Sequence, residues 1–328
     1  MSVLVTGGAG YIGSVTVEAL CAAGEDVVVL DDLERGHRGA LGSGIPFYEG
    51  DIGNTSLVGD VVTSHGVTQV VHFAAFTSVP ESVEHPLRYF ENNTGKVVRM
   101  LTALQERGVK NVVFSSTAAV YGEPEYTPID ENHRKNPTNA YGLSKYFVEQ
   151  ILDRADLAHG ITHVALRYFN AAGATATRGE DHRPETHLIP LILQVPMGKR
   201  EQVSLYGTDY PTPDGTCVRD YIHVSDLADA HVRALRYLKD GGASQKINLG
   251  NGKGFSVREV VDVVGKVTGT RISVREEARR AGDPSTLIAG SEKARNVLGW
   301  APRYPELESI VRSAWEWHRA HPEGYSEE

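Results

Sequence analysis

Cysteine is almost absent from this 328-residue chain: Cys21 and Cys217 are the whole complement, too few for a disulfide framework, and both read as small buried residues. Long apolar runs are absent too. No stretch approaches the roughly 20 apolar residues a bilayer-crossing helix needs, and no leader-like segment precedes the first apolar run, which starts at residue 2. A cytoplasmic protein without a membrane partner is the expectation. Positive charge is in short supply, with 33 Lys and Arg against 42 Asp and Glu and a formal charge of −9. That balance argues against a nucleic-acid or anionic-membrane surface and leaves room only for a local basic pocket. Repeats, low-complexity tracts and blocks of like charge are also missing. What remains, at 41% hydrophobic and 23% charged residues, is an ordinary globular composition, long enough for one large domain and one small one.

The most informative stretch is the first. Val3 to Val5 is a β-rich apolar run that ends in Gly7-x-x-Gly10-x-x-Gly13 and passes into Val15 to Ala23, a helix-compatible segment stopped by Gly24. A strand, a glycine turn and a helix N-terminus together offer bare N–H groups and a positive dipole end to an anion, with a pyrophosphate as the natural occupant. The next strand, Asp26 to Leu30, ends in Asp31-Asp32, about twenty residues past the loop, where a carboxylate can hold an adenosine ribose. An acid there favours NAD; Arg35 and Arg38 nearby leave NADP open.

Beyond this unit the first half alternates. Strands are expected at Phe47–Gly50, Thr68–Phe73, Asn111–Ser116 and Thr162–Asn170, with helices at Thr55–His65, Pro86–Arg107 and Asn139–His159. Such βαβα order predicts an α/β fold, a Rossmann-type doubly wound parallel sheet with ligands beyond the strand C-termini. The pattern breaks after residue 170. Residues 171–184 read as a loop, 188–197 as a helix, 203–206 as a strand and 218–224 as a strand. Residues 226–238 read as a helix, and 307–321 as the last helix. The domain expectation is a cofactor-binding body over 1–170, rejoined by 218–240, and a smaller α/β lobe over 171–328 whose short elements resume at Gln245. A cleft between them is the default second site.

Tyr141 and Lys145 lie four apart in a predicted helix, one turn apart on one face. A lysine ammonium beside a phenol favours the phenolate, which makes Tyr141 a candidate general base for a substrate hydroxyl. Thr117 falls just past the C-terminus of the fifth strand, where its hydroxyl can bridge that phenol and a substrate oxygen. Any one of these is common by chance. The combination with the glycine loop describes hydride transfer at an alcohol carbon. His182 and His187 raise the question of a metal, but neither has a partner at a recognised ligand spacing, so no metal is expected.

At these residues the chain resembles the extended short-chain dehydrogenase/reductase family, and within it the sugar-nucleotide 4-epimerases. Besides the opening loop the matches are Glu49-Gly50-Asp51-Ile52, Val71-His72-Phe73-Ala74-Ala75, Tyr141-Gly142-Leu143-Ser144-Lys145, Leu166-Arg167-Tyr168-Phe169-Asn170 and the long Gly207–Val224 stretch. The resemblance implies an NAD site at Gly7, Gly10, Tyr11, Ile12, Gly13, Asp31, Asp32, Leu33, Asp51, Ile52, Phe73, Ala74, Ala75, Thr77, Asn92, Ser115, Tyr141, Lys145 and Phe169. It implies that Thr117, Asn170, His187, Leu188, Ser204, Tyr206, Arg219, Arg280, Asp283 and Leu287 hold UDP-galactose or UDP-glucose, and that the protein is a homodimer. Arg219 and Arg280 can neutralise a diphosphate, although residue type alone reads each equally well as a surface ion pair. Departures from the family pattern are few. Thr117 stands where Ser is usual and keeps the hydroxyl. Thr77 stands where Lys is common, at a cost to NAD affinity. Leu287 is intermediate between the tyrosine that excludes N-acetyl groups and the small residue that admits them, so UDP-N-acetylhexosamines remain possible extra substrates. Ala118-Ala119 replace the Asp-Glu pair of the 4,6-dehydratases. A catalytically dead NAD-sensing module, the rival from another class, would be expected to have lost Tyr141, Lys145 or the Thr117 hydroxyl.

Overall fold

The computed structural model describes residues 2–280 and 283–326. Its centre is a seven-stranded, wholly parallel sheet. The strands in chain order are β1 (Ser2–Thr6), β2 (Asp26–Asp31), β3 (Phe47–Glu49), β4 (Val67–His72), β5 (Asn111–Thr117) and β6 (Thr162–Tyr168). After the short strands β7 (Asn170–Ala172), β8 (Val203–Tyr206), β9 (Val218–Arg219) and β10 (Tyr221–His223) comes β11 (Gln245–Leu249), which completes the sheet at the outer side of β6. The spatial order β11-β6-β5-β4-β1-β2-β3 reverses between β1 and β4, and a cleft is expected at that switch point.

Burial on both faces explains the near-continuous apolar runs of these strands. Val3 and Val5 join one core with Val17 and Leu20 of the helix Tyr11–Ala22 and with Leu227, Leu235 and Leu238 of the helix Val224–Lys239. Leu4, between them, points into the opposite core with Val58, Val61, Met100, Leu104, Val148 and Leu152, as the two-residue period of a strand requires. Asn139 caps the helix Ala140–His159 by accepting from Gly142 N at 2.9 Å, and Gly160 ends it in the left-handed conformation.

Several sequence expectations are corrected. The strand at 245–249 is an edge of the main sheet and not the start of the small lobe: Ile247 and Leu249 are fully buried in the first core. The expected strand 218–224 is two strands. β9 pairs with β12 (Phe255–Ser256) and, after β13 (Val274–Glu277), with β14 (Thr286–Leu287), while β10 pairs with β7. The chain turns at Asp220, whose buried carboxylate accepts from Asn251 N, Gly252 N and Ala289 N at 2.8–3.1 Å. The expected strand 162–170 likewise stops at Tyr168. The expected helix 86–107 is interrupted: Pro86–Phe90 and Lys96–Glu106 are joined by a π-helical turn, Glu91–Gly95. That turn aims Asn93 inward, where its amide holds both Phe76 N (2.8 Å) and Phe76 O (2.9 Å), an insertion of the kind found at functional sites. The helix at 188 ends at Leu193 rather than Met197. Cys217 is buried, but Cys21, near the end of its helix, is exposed.

Candidate active site

A cleft of about 890 Å³ opens over the C-terminal ends of β1, β4, β5 and β6 and runs to the small lobe. Its floor is the glycine loop. A Cβ at Gly7 (φ +72°) would lie 2.4 Å from Ala74 N, so only glycine lets β1 and β4 close up here. A Cβ at Gly10 would meet only Gly7 O, at 3.4 Å, and would otherwise stand in the cleft. The helix Tyr11–Ala22 therefore presents its first-turn amides to a bare backbone cradle, which fits a dinucleotide pyrophosphate. Asp31 lines the cleft beyond the loop. Its carboxylate accepts from Ala9 N and Leu33 N, each at 2.9 Å, and burial pushes its pKa up against those two bonds. Lys96 sits 2.6 Å from Asp51 and, against the burial that would raise it, holds that carboxyl below its ordinary value.

At the other end Thr117 finishes β5, and its Oγ1 accepts from Ala119 N at 3.1 Å. The following helix starts against this turn because Gly142 allows it: a Cβ there would lie 2.5 Å from Ala119 O. Tyr141 and Thr117 thereby line the same end of the cleft. Burial raises the Tyr141 pKa, and the Thr117 hydroxyl opposes the rise. Lys145 donates from Nζ to Ser115 O at 2.8 Å, and its Nζ lies 4.9 Å from the centre of the Phe114 ring. Burial alone pulls its pKa from 10.5 to about 7. The sequence reading set Lys145 against the phenol. The structure shows its Nζ bonded to the strand backbone at Ser115 O.

On the small-lobe side the Arg280 guanidinium stacks on Tyr206, 3.8 Å from the ring centre, and Arg219 lies 3.8 Å from Asp283. Leu287 pairs with Arg219 across β14 and β9 and packs against Val120, Tyr121 and Ile129. Every sequence-predicted site residue lines the cleft except Leu33. That residue (φ +58°) instead supplies the turn that its N–H fixes to Asp31. Sequence reasoning missed Lys96, Tyr168, Glu180, Glu185 and Arg200, which also line it. For Tyr168 the signal was the Tyr168-Phe169-Asn170 match itself; its hydroxyl bonds Ser115 Oγ. The spacing that offered His182 and His187 no partner hid one. Glu180 lies between them, with Glu185 alongside.

The profile of the NAD dependent epimerase/dehydratase family matches residues 3–250. A UDP-glucose 4-epimerase of Lacticaseibacillus casei is 54% identical over all of this chain and 99% of its own length. The solved UDP-glucose 4-epimerase of Brucella ovis, in complex with NAD, superposes with a TM-score of 0.93 at 45% identity, covering 96% of this chain and 97% of that one. That of Bifidobacterium longum, with NAD+ and UDP, superposes with a TM-score of 0.94 at 36% identity over 99% and 100%.

Proposed function

The chain belongs to the NAD dependent epimerase/dehydratase family, and we propose that Tyr141, Thr117 and Lys145 are the residues with which it inverts the C4 carbon of a UDP-hexose. The protein is an NAD-dependent enzyme, an isomerase that interconverts UDP-glucose and UDP-galactose. The observation that carries the residue assignment is that Thr117, Tyr141 and Lys145 line one end of the cleft, with Lys145 anchored to Ser115 O at 2.8 Å.

The glycine loop, Asp31, Phe73 to Ala75 and Lys145 would hold NAD, which would supply a reversible hydride acceptor and a positive charge. Tyr141 takes the C4 hydroxyl proton, with Thr117 donating to its oxygen and easing ionisation of a phenol that burial alone would keep neutral. Lys145 fixes Ser115 and with it the end of β5. Arg219, Arg280, Tyr206 and Asn170 grip the UDP moiety, so the 4-keto hexose is free to present its other face before Tyr141 returns the proton. The two residues after Thr117 are alanines that line the cleft, so elimination of water from C5 and C6 finds no acid there. Leu287 is intermediate between the tyrosine that excludes N-acetyl groups and the small residue that admits them, so activity on UDP-N-acetylhexosamines is part of the proposal.

Homodimer formation is supported by an apolar surface on adjacent helices: Leu87 is 80% exposed and Val83 65%, with Val98 and Phe147 beside them. Among the described residues no helix is long and apolar enough to cross a membrane. A cytoplasmic location is supported by the two unpaired thiols. Tyr141→Phe tests the assignment: it is expected to retain NAD and lose about 10²–10⁴-fold in turnover. Full activity would overturn it.

A further inference from the structure

The segment leading into the helix Leu188–Leu193 gathers four metal-type donors that the reaction does not use as a set. Glu180, His182, Glu185 and His187 each offer one ligand atom, and these four atoms lie within 4.8 Å of one another. Three of the pair distances are already short: His182 Nδ1 to Glu180 Oε1 3.1 Å, His187 Nδ1 to Glu180 Oε1 2.7 Å, and His187 Nδ1 to Glu185 Oε1 2.9 Å. Four ligands about 2.0–2.2 Å from a tetrahedral zinc ion stand about 3.3–3.6 Å apart, so a small outward adjustment admits an ion.

Three further features suit a cation. Both imidazoles turn the same nitrogen, Nδ1, to one oxygen of a carboxylate whose side chain is only 5% exposed. Glu185 is itself held in place, since its Oε1 accepts from Thr186 N and His187 N at 2.7 Å, leaving its other oxygen for an ion. His187, 45% exposed at the cleft wall, leaves a way in. Two carboxylates and two neutral imidazoles balance a divalent charge. Imidazole with carboxylate in a four-donor set favours zinc, and four protein donors with no open position mark a structural rather than a catalytic ion.

We propose that Glu180, His182, Glu185 and His187 form a structural site for a divalent transition-metal ion of the zinc type. The ion ties the loop before residue 188 together beside the helix that opens the cofactor cradle, where the His182 ring stands edge-on to Tyr11 at 6.5 Å.

The test uses the full-length protein carrying its cofactor, stripped of metal by chelator and titrated with Zn2+, and in parallel with Co2+ as a spectroscopic probe. The expected result is one ion per chain, visible Co2+ absorption of a four-coordinate ion, and a rise in melting temperature on Zn2+ addition. His182→Ala and Glu180→Gln are each expected to weaken Zn2+ binding by at least about 100-fold, beyond the loss seen for outer-shell changes. Should either variant fail to fold, anomalous scattering from zinc-loaded wild-type crystals decides, with a peak expected about 2.0–2.2 Å from the four donor atoms. Absence of stoichiometric binding at micromolar Zn2+, affinity unchanged in folded His182→Ala, or a peak elsewhere would overturn the site.

Discussion

Removing one charge from the pair behind the catalytic strand should damage the protein far more than removing both. Glu149 and Arg167 are 0% and 1% exposed and meet as a bidentate pair, Nε–Oε1 2.8 Å and Nη2–Oε2 2.5 Å. Ser116 Oγ donates to the same carboxylate at 2.6 Å, so the pair holds the residue next to Thr117. Arg167 also donates to Tyr121 OH at 2.9 Å, which donates to Asn248 on β11 at 2.6 Å. One buried network thus joins β5, β6, β11 and the helix of Tyr141. Glu149→Gln leaves a buried guanidinium without its counter-charge, a loss of about 3–5 kcal/mol. Replacing both partners by apolar residues, Glu149→Leu with Arg167→Met, should come within about 1–2 kcal/mol of wild type, because the desolvation cost leaves with the charges. Urea unfolding followed by tryptophan fluorescence, run as a double-mutant cycle, reads both values. A Glu149→Gln cost under about 1 kcal/mol, the range of an exposed pair, would refute the reasoning.

Lys145→Met should separate stability from activity. The folded pKa of about 7 lies below the unfolded 10.5, so the unfolded chain binds more protons between those values and wild-type stability rises with pH across that window. The variant, compared with wild type after NAD is removed from both, should be more stable at pH 7 by up to about 4 kcal/mol, less about 1 for the lost bond to Ser115. The gap should close toward pH 10.5, and a gap that stays constant would contradict the burial argument. Gly7→Ala places a Cβ 2.4 Å from Ala74 N at φ +72°. It should cost about 1–3 kcal/mol and purify without NAD, as an absorbance assay of the denatured protein would record. Leu287→Tyr should keep UDP-galactose conversion and abolish any conversion of UDP-N-acetylgalactosamine, as product chromatography would show.

Much of this was legible in the chain because the carrying signals are local. The run Val3 to Val5, the glycine loop and the acid at Asp31 fix a unit whose parts are neighbours in sequence, and Tyr141 and Lys145 share a helix. What was not legible depends on partners far apart. The edge strand 245–249 declares itself only by burying Ile247 and Leu249 against β6 and the helix Val224–Lys239. The break at Asp220 exists because amides from residues 251, 252 and 289 converge on one carboxylate. Helical periodicity across 86–107 conceals the π turn, since the inward aim of Asn93 is set by Phe76 in a distant loop. Helical spacing says which face Lys145 shares with Tyr141, but not that its Nζ donates to the carbonyl of Ser115. Glu180 and Glu185 escaped notice because their spacing follows no recognised ligand pattern until a loop folds them onto His182 and His187.

The central claim is that this cleft holds NAD and uses it, with no net oxidation, to invert C4 of a UDP-hexose. It is tested most directly on the purified protein with nothing added. One portion is denatured and assayed for released NAD, and another is given UDP-galactose alone and followed for UDP-glucose. The account predicts close to one NAD per chain and conversion without external cofactor. No conversion of UDP-galactose, even with NAD supplied, would contradict it.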